Sequence, residues 1–196
     1  MSDPREWRPT WAEAPQVVTI DVVNGAWDTR RQGADVSLQR VEAANAAAVL
    51  GLQPKAILAV NAGGTCWDTL QQLATSQGIE FRQVDRREAM AVAATRGFGG
   101  ACIAIDCGAS TTVDFADGAR FLAGVSVAGY ANPADDASVS EAVDQAIYTT
   151  VANAGVDGPL LVITGPDADR YIRSGKLPVQ HVPDLIHRGM VELALC

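Results

Sequence analysis

Ala101–Phe115, ACIAIDCGASTTVDF, runs apolar as far as Asp106, turns through Cys107-Gly108-Ala109-Ser110-Thr111-Thr112, and turns apolar again around Asp114. It reads as strand, tight polar turn, strand. Nothing in strand formation favours a carboxylate at the end of ACIAID, since Asp is depleted in strands. A turn supplied with Gly and hydroxyls brings backbone N–H groups and Ser/Thr oxygens onto a phosphate, and an acidic residue at the strand end can hold the accompanying cation. Nearer the amino terminus, Val17-Val18-Thr19-Ile20-Asp21-Val22-Val23-Asn24-Gly25 opens the same way, with an apolar run, an Asp and an Asn/Gly turn. Two such turns suggest two related lobes carrying nucleotide chemistry. A turn after a strand also takes Asp, Asn or Gly for backbone reasons alone, and that reading stands beside the chemical one.

Composition narrows the field. The chain has 196 residues, 48% of them hydrophobic and 19% charged, enough for a substantial core and outside the disordered range. Its formal charge is −8 and its only lysines are Lys55 and Lys176, which argues against a nucleic-acid partner, because phosphate neutralisation needs clustered Lys and Arg. Cys66, Cys102, Cys107 and Cys196 show no C-x-x-C spacing, so no zinc site is expected, and Cys102 reads as a small core residue. No apolar stretch reaches the length of a membrane span. Residues 1–15, with Arg5, Arg8 and three prolines, lack a signal-peptide apolar region, so no membrane association is expected and the cytoplasm is the expected location.

Further along the chain, strand signals recur at 17–22, 56–60, 79–84, 101–106, 111–115, 120–127 and 160–164, with helical signals between several of them. Ser37 is a plausible cap for an Ala-rich helix to Leu50. Thr65 or Asp68 begins a helix to Ser76, and Asp85 caps one to Arg96. A helix opens at Ser138 or Ser140, another runs from Asp167 to Ser174, and a last one starts near Pro183. This alternation predicts an α/β protein. A polar leader over 1–15 precedes two lobes, 16–98 and 99–196. Trp7 and Trp11 on the leader suggest an apolar anchor at a dimer contact. His181 and His187 have no accompanying nucleophile motif and read as surface or helix-terminal residues.

The motifs resemble those of type III pantothenate kinase, the Bvg accessory factor family, within the acetate and sugar kinase/Hsc70/actin superfamily. Asp21-Val22-Val23-Asn24-Gly25 sits where that family has Asp-x-Gly-Asn-Thr, and Asp106 through Asp114 where it has Asp-x-Gly-Thr-Ala-Thr-Thr-x-Asp. Val84-Asp85-Arg86 is similar to its Gly-Ala-Asp-Arg helix start, Gly124 to Gly129 to its Gly-Gly-x-Ile-x-Pro-Gly, and His181 to Met190 to its closing helix. The resemblance implies two ribonuclease-H-like (actin-like ATPase) lobes with ATP in a cleft between them, Mg²⁺, a monovalent cation (K⁺ or NH₄⁺) and a homodimer. The implied activity is ATP-dependent phosphorylation of pantothenate or a similar small molecule, the first step of coenzyme A synthesis. By position Asp85 is implied as the catalytic base and Arg86 as a substrate-carboxylate ligand, with Gly129 also on the substrate. Asp21, Asn24, Gly108, Ser110, Thr111 and Thr112 are implied around the nucleotide, and Asp21 and Asp106 at the metal. Asp85 is equally explained as the N-cap of its helix, and one residue can do both.

The pattern is departed from at Val23, Gly25, Ala109, Ala128 and Pro166, and the segment from Tyr130 to Ala137 is shorter than the family's helical insertion. Those departures favour an alternative, a catalytically weak or inactive kinase homologue that binds a ligand or partner. The first lobe also leaves little room for a strand hairpin between Val23 and the Ser37 helix.

Overall fold

The computed structural model describes residues 17–23, 26–32, 38–60, 65–131 and 136–194. The expected leader with Trp7 and Trp11, and the roles expected of Asn24, Gly25 and Ser37, lie outside these residues. The described chain forms two compact units, one spanning Met90–Leu185 and the other made of the residues up to Ala89 together with those from Ile186 onward.

In the second of these, β1 (Val17–Val23) pairs antiparallel with β2 (Ala26–Gln32), which pairs antiparallel with β3 (Leu38–Val41). After α1 (Ala46–Gly51), β4 (Ala56–Val60) lies parallel to β1. After α2 (Thr65–Ser76), β5 (Glu80–Gln83) lies parallel to β4, giving the order β3-β2-β1-β4-β5. Period-two alternation sends Val18 and Ile20 of β1 to one face, where with Ile57 and Ala59 they meet Val49 of α1 and Trp67, Leu70 and Ala74 of α2. Thr19 and Asp21 fall on the opposite face.

The hairpin β2–β3 overturns the expectation of a helix running from Ser37 and of little room before it. Asp28-Thr29-Arg30-Arg31-Gln32 is too polar to read as a strand, yet its residues 28–31 pair in register with Val18–Asp21. Trp27 is anchored by stacking on Trp67, with ring centroids 4.7 Å apart. Helix α1 begins later than the sequence suggests, where the Asn45 side chain accepts from Ala48 N at 3.0 Å.

The other unit repeats the plan. Strands β6 (Cys102–Asp106), β7 (Ser110–Asp117) and β8 (Arg120–Ala128) form the antiparallel meander. Strand β9 (Leu160–Thr164), reached through α4 (Asp136–Ala154), lies parallel to β6, and the short β10 (Gln180–His181), reached through α5 (Ala168–Ser174), lies parallel to β9. The order is β10-β9-β6-β7-β8. Ile103, Ile105, Val113, Phe115 and Ile163 form a core with Val139, Val143 and Ile147 of α4 and with Ala168 and Tyr171 of α5. Cys102 is fully buried, as its strand position predicts. The division between the units falls within helix α3 (Arg86–Phe98), and α6 (Leu185–Ala194) is the last helix. Among the described residues no helix is long and apolar enough to cross a membrane.

Candidate functional site

In the Met90–Leu185 unit, two turns leave the carboxyl ends of the neighbouring parallel strands β6 and β9, the end of an α/β sheet where ligands bind. The first turn carries Cys107, Gly108 and Ala109 and the second Gly165, Pro166 and Asp167. They are knitted together: Cys107 N donates to Thr164 O at 2.9 Å, and Asp167 N donates to Cys107 O at 3.0 Å. Gly165 has φ +99°, and a Cβ there would lie 2.3 Å from the Cys107 oxygen and 2.6 Å from Asp106 Oδ1, so the second turn presses backbone against the base of the first. A third segment backs the turn from β8, with Gly129 N donating to Ala109 O at 3.2 Å and Tyr130 N donating to Gly108 O at 2.8 Å. Only glycine fits at 129, because a Cβ would stand 1.8 Å from the Gly108 oxygen.

Register places Asp106 opposite Thr112 and Ala104 opposite Asp114, so these residues share one face of the sheet. Thr111 faces the other way, toward the α4 and α5 core, and is fully buried beside Cys107. The Cys107 thiol is pushed up to about 12 by burial, with the Asp106 carboxylate adding to the shift, so it is an inert packing group. Thr112 Oγ1 is buried with no hydrogen-bond partner among the described residues. A buried hydroxyl without a partner costs about 1–3 kcal/mol unless a ligand or water satisfies it. Ser110 is exposed and its hydroxyl makes a long 3.4 Å contact with Val127 O.

In the other unit the structure joins two of the predicted site residues to each other. Arg86 Nη1 donates to Asp21 Oδ1 at 2.5 Å and to Oδ2 at 2.6 Å, with the two side chains 19% and 7% exposed. Asp85 is exposed and caps α3, its Oδ1 accepting from Glu88 N at 3.0 Å. On the same sheet face as Asp21, His187 occupies the first turn of α6, the helix-terminal place expected of it, but it is buried rather than at the surface. Its Nδ1 is hydrogen-bonded to Thr19 Oγ1 at 2.8 Å and its Nε2 stands 3.4 Å from Asp28 Oδ2. The His187 ring, aided by Arg30 and opposed by burial, holds the Asp28 carboxyl well below the usual carboxylate range.

Sequence reasoning missed the support of the Gly108 turn. Arg170 Nε donates to Asp136 at 3.0 Å, Nη1 donates to the Tyr130 carbonyl and to Asp167 at 3.3 Å, and the guanidinium lies 5.0 Å from the Tyr130 ring centroid. The one local signal was the spacing of three between Asp167 and Arg170 on a helix. Among the described residues, no group of three or more His, Cys, Asp or Glu is disposed to hold a metal ion.

No protein-family model and no curated protein matches the sequence. Solved structures do match in fold. The chain is similar to the ethanolamine utilization protein EutJ of Carboxydothermus hydrogenoformans, with a TM-score of 0.56 at 14% identity, covering 96% of this chain and 92% of that one. It is similar to component A of the (R)-2-hydroxyglutaryl-CoA dehydratase of Acidaminococcus fermentans, with a TM-score of 0.57 at 14% identity, covering 93% and 97%. A ROK hexokinase of Thermus thermophilus matches with a TM-score of 0.57 at 12% identity, over 92% and 97%. With two five-stranded sheets of matching order, each a meander followed by parallel strands, the chain has the fold of the actin-like ATPases.

Proposed function

We propose that the chain binds ATP with Mg²⁺ through the turn from Asp106 to Thr112. The observation that carries this reading is the buried, unpartnered Thr112 hydroxyl on the same face as Asp106, at a turn whose backbone is packed tightly by Gly129 and Gly165. Mg²⁺ keeps several waters and binds through one or two carboxylates plus substrate phosphates, so a single Asp106 suits it where a protein cage would not. When bound, the ion neutralises phosphate charge. Gly108 lets the backbone approach the phosphates, and Thr112 donates its hydroxyl.

The finer reading is phosphorylation of pantothenate or a similar hydroxylated acid. In it the exposed Asp85 carboxylate takes the proton of the acceptor hydroxyl, a role compatible with its capping of α3. A second reading is favoured by the Asp21–Arg86 pair. Each satisfies the other, so neither side chain is at hand for a metal or a substrate carboxylate, and the nucleotide then governs binding of a partner without an acceptor being phosphorylated.

Titration calorimetry with Mg·ATP in potassium buffer, with and without pantothenate, separates these. Saturable binding that pantothenate strengthens supports the kinase, and ADP release that disappears in Asp85→Asn secures it. Binding indifferent to pantothenate supports the second reading. Asp106→Asn is expected to weaken Mg·ATP binding about tenfold or more, as loss of a charge-assisted ligand does. Equal binding by that variant removes the nucleotide from this turn.

A further inference from the structure

We infer that Arg170 is the positioning residue of the Gly108 turn, an inference that rests on the nucleotide reading of that turn. The turn is held from outside by the amides of Gly129 and Tyr130, which donate to Ala109 O and Gly108 O. Residues 129–130 are held in turn by the Tyr130 hydroxyl, which is hydrogen-bonded to Ser140 Oγ at 2.8 Å, by the packing of the Tyr130 ring, and, on the side facing the turn, by Arg170. Its Nη1 donates to the Tyr130 carbonyl, its guanidinium lies over the Tyr130 ring, and its Nε and Nη2 fork onto the Asp136 carboxylate at the start of α4. Nη1 also reaches Asp167, whose own amide donates to Cys107 O at the foot of the turn. One guanidinium, 16% exposed, thereby ties the ends of β8, α4 and α5 to both sides of the same turn.

Only arginine can do this. The planar fork donates in several fixed directions at once, whereas a lysine ammonium is a point charge that keeps an ion pair but cannot also reach a carbonyl and stack on a ring. Arg170 acts through the turn rather than on a phosphate. It fixes the distance between the Gly108 amide region and Thr112, on which phosphate binding depends, and displacing groups positioned in this way by about 1 Å costs as much as about a hundredfold.

The test uses the full chain as Arg170→Gln and Arg170→Lys, the lysine variant preserving the charge should the glutamine variant fold poorly. Amide exchange is expected to quicken about tenfold or more at Gly129 and Tyr130 in both variants, and to stay unchanged at Val162 and Ile163 of β9. Calorimetry is expected to give Mg·ATP affinity about tenfold weaker even in Arg170→Lys, with the melting temperature close to that of the parent and affinity for adenosine, which lacks phosphates, unchanged. A lysine variant that binds Mg·ATP like the parent, or unchanged exchange at 129–130, overturns the positioning role and leaves the nucleotide reading standing. A parent protein that does not bind Mg·ATP overturns both.

Discussion

Among single residues, Asp21 and Arg86 form a pair whose breaking removes a short charge-assisted contact between largely buried groups. Both groups are largely out of water, so the pair adds little net stability over an apolar pair of the same shape, while removal of one member costs the other, already desolvated, its two-oxygen charge-assisted contact. Arg86→Met is therefore expected to lower the unfolding free energy by about 2 to 3 kcal/mol, and Asp21→Asn with Arg86→Met to recover most of it. Urea denaturation of the four proteins of that double-mutant cycle measures the coupling, and a coupling near zero would mean that the two side chains act independently. The family resemblance implies Arg86 as a substrate ligand, and nothing in the local pattern around it points to an ion-pair partner. Its partner lies 65 residues away.

Among the elements, β1, β2 and α6 share a polar layer in which Thr19, Asp28, Arg30 and His187 meet. Arg40 from β3 also approaches Asp28, at 3.5 Å. Because folding depresses the pKa of Asp28, the native state favours its ionised form. That contribution is complete above the ordinary carboxylate range near about 4, and it is lost as the pH falls below that range toward the folded value. Urea midpoints compared at pH 6 and pH 3 are expected to fall further in the parent than in Asp28→Asn. Identical falls would show that Asp28 is not what couples this hairpin to acid. The layer also explains how so polar a segment becomes a strand: β2 exchanges hydration for ladder bonds to β1 and for charge partners on both sides.

In the molecule as a whole, the two units differ in how the chain builds them. Met90–Leu185 is continuous, whereas the unit holding β1 to β5 recruits the final segment from Ile186 onward. Met190 and Val191 of that segment are fully buried, and the Leu193 carbonyl accepts from Arg82 Nη1 at 3.1 Å. A chain ended at Leu185 is expected to lose amide protection across β1 and β4 while β6 and β9 keep theirs. Persistent protection of Ile20 and Leu58 in the shortened chain would contradict that dependence.

The α/β class, the strands beginning near Val17, Ala56, Cys102, Ser110, Arg120 and Leu160, and the turn after Asp106 were all legible in the amino-acid order. Each is written in local periodicity and in residues that a turn accommodates. The placing of Asp106 and Thr112 at that turn was legible for the same reason, whereas Gly129, expected on the substrate side by resemblance alone, is put behind the turn only by folding. Folding had to supply the β2–β3 hairpin, the start of α1 at Asn45, the burial of His187, the pairing of Arg86 with Asp21 and the clamp made by Arg170. All five depend on partners brought together across the chain or on competition between neighbouring caps and strands. A polar side chain carries no local mark of whether it will face water or a distant charge, because its energy is set by the dielectric and the partners that the tertiary structure provides.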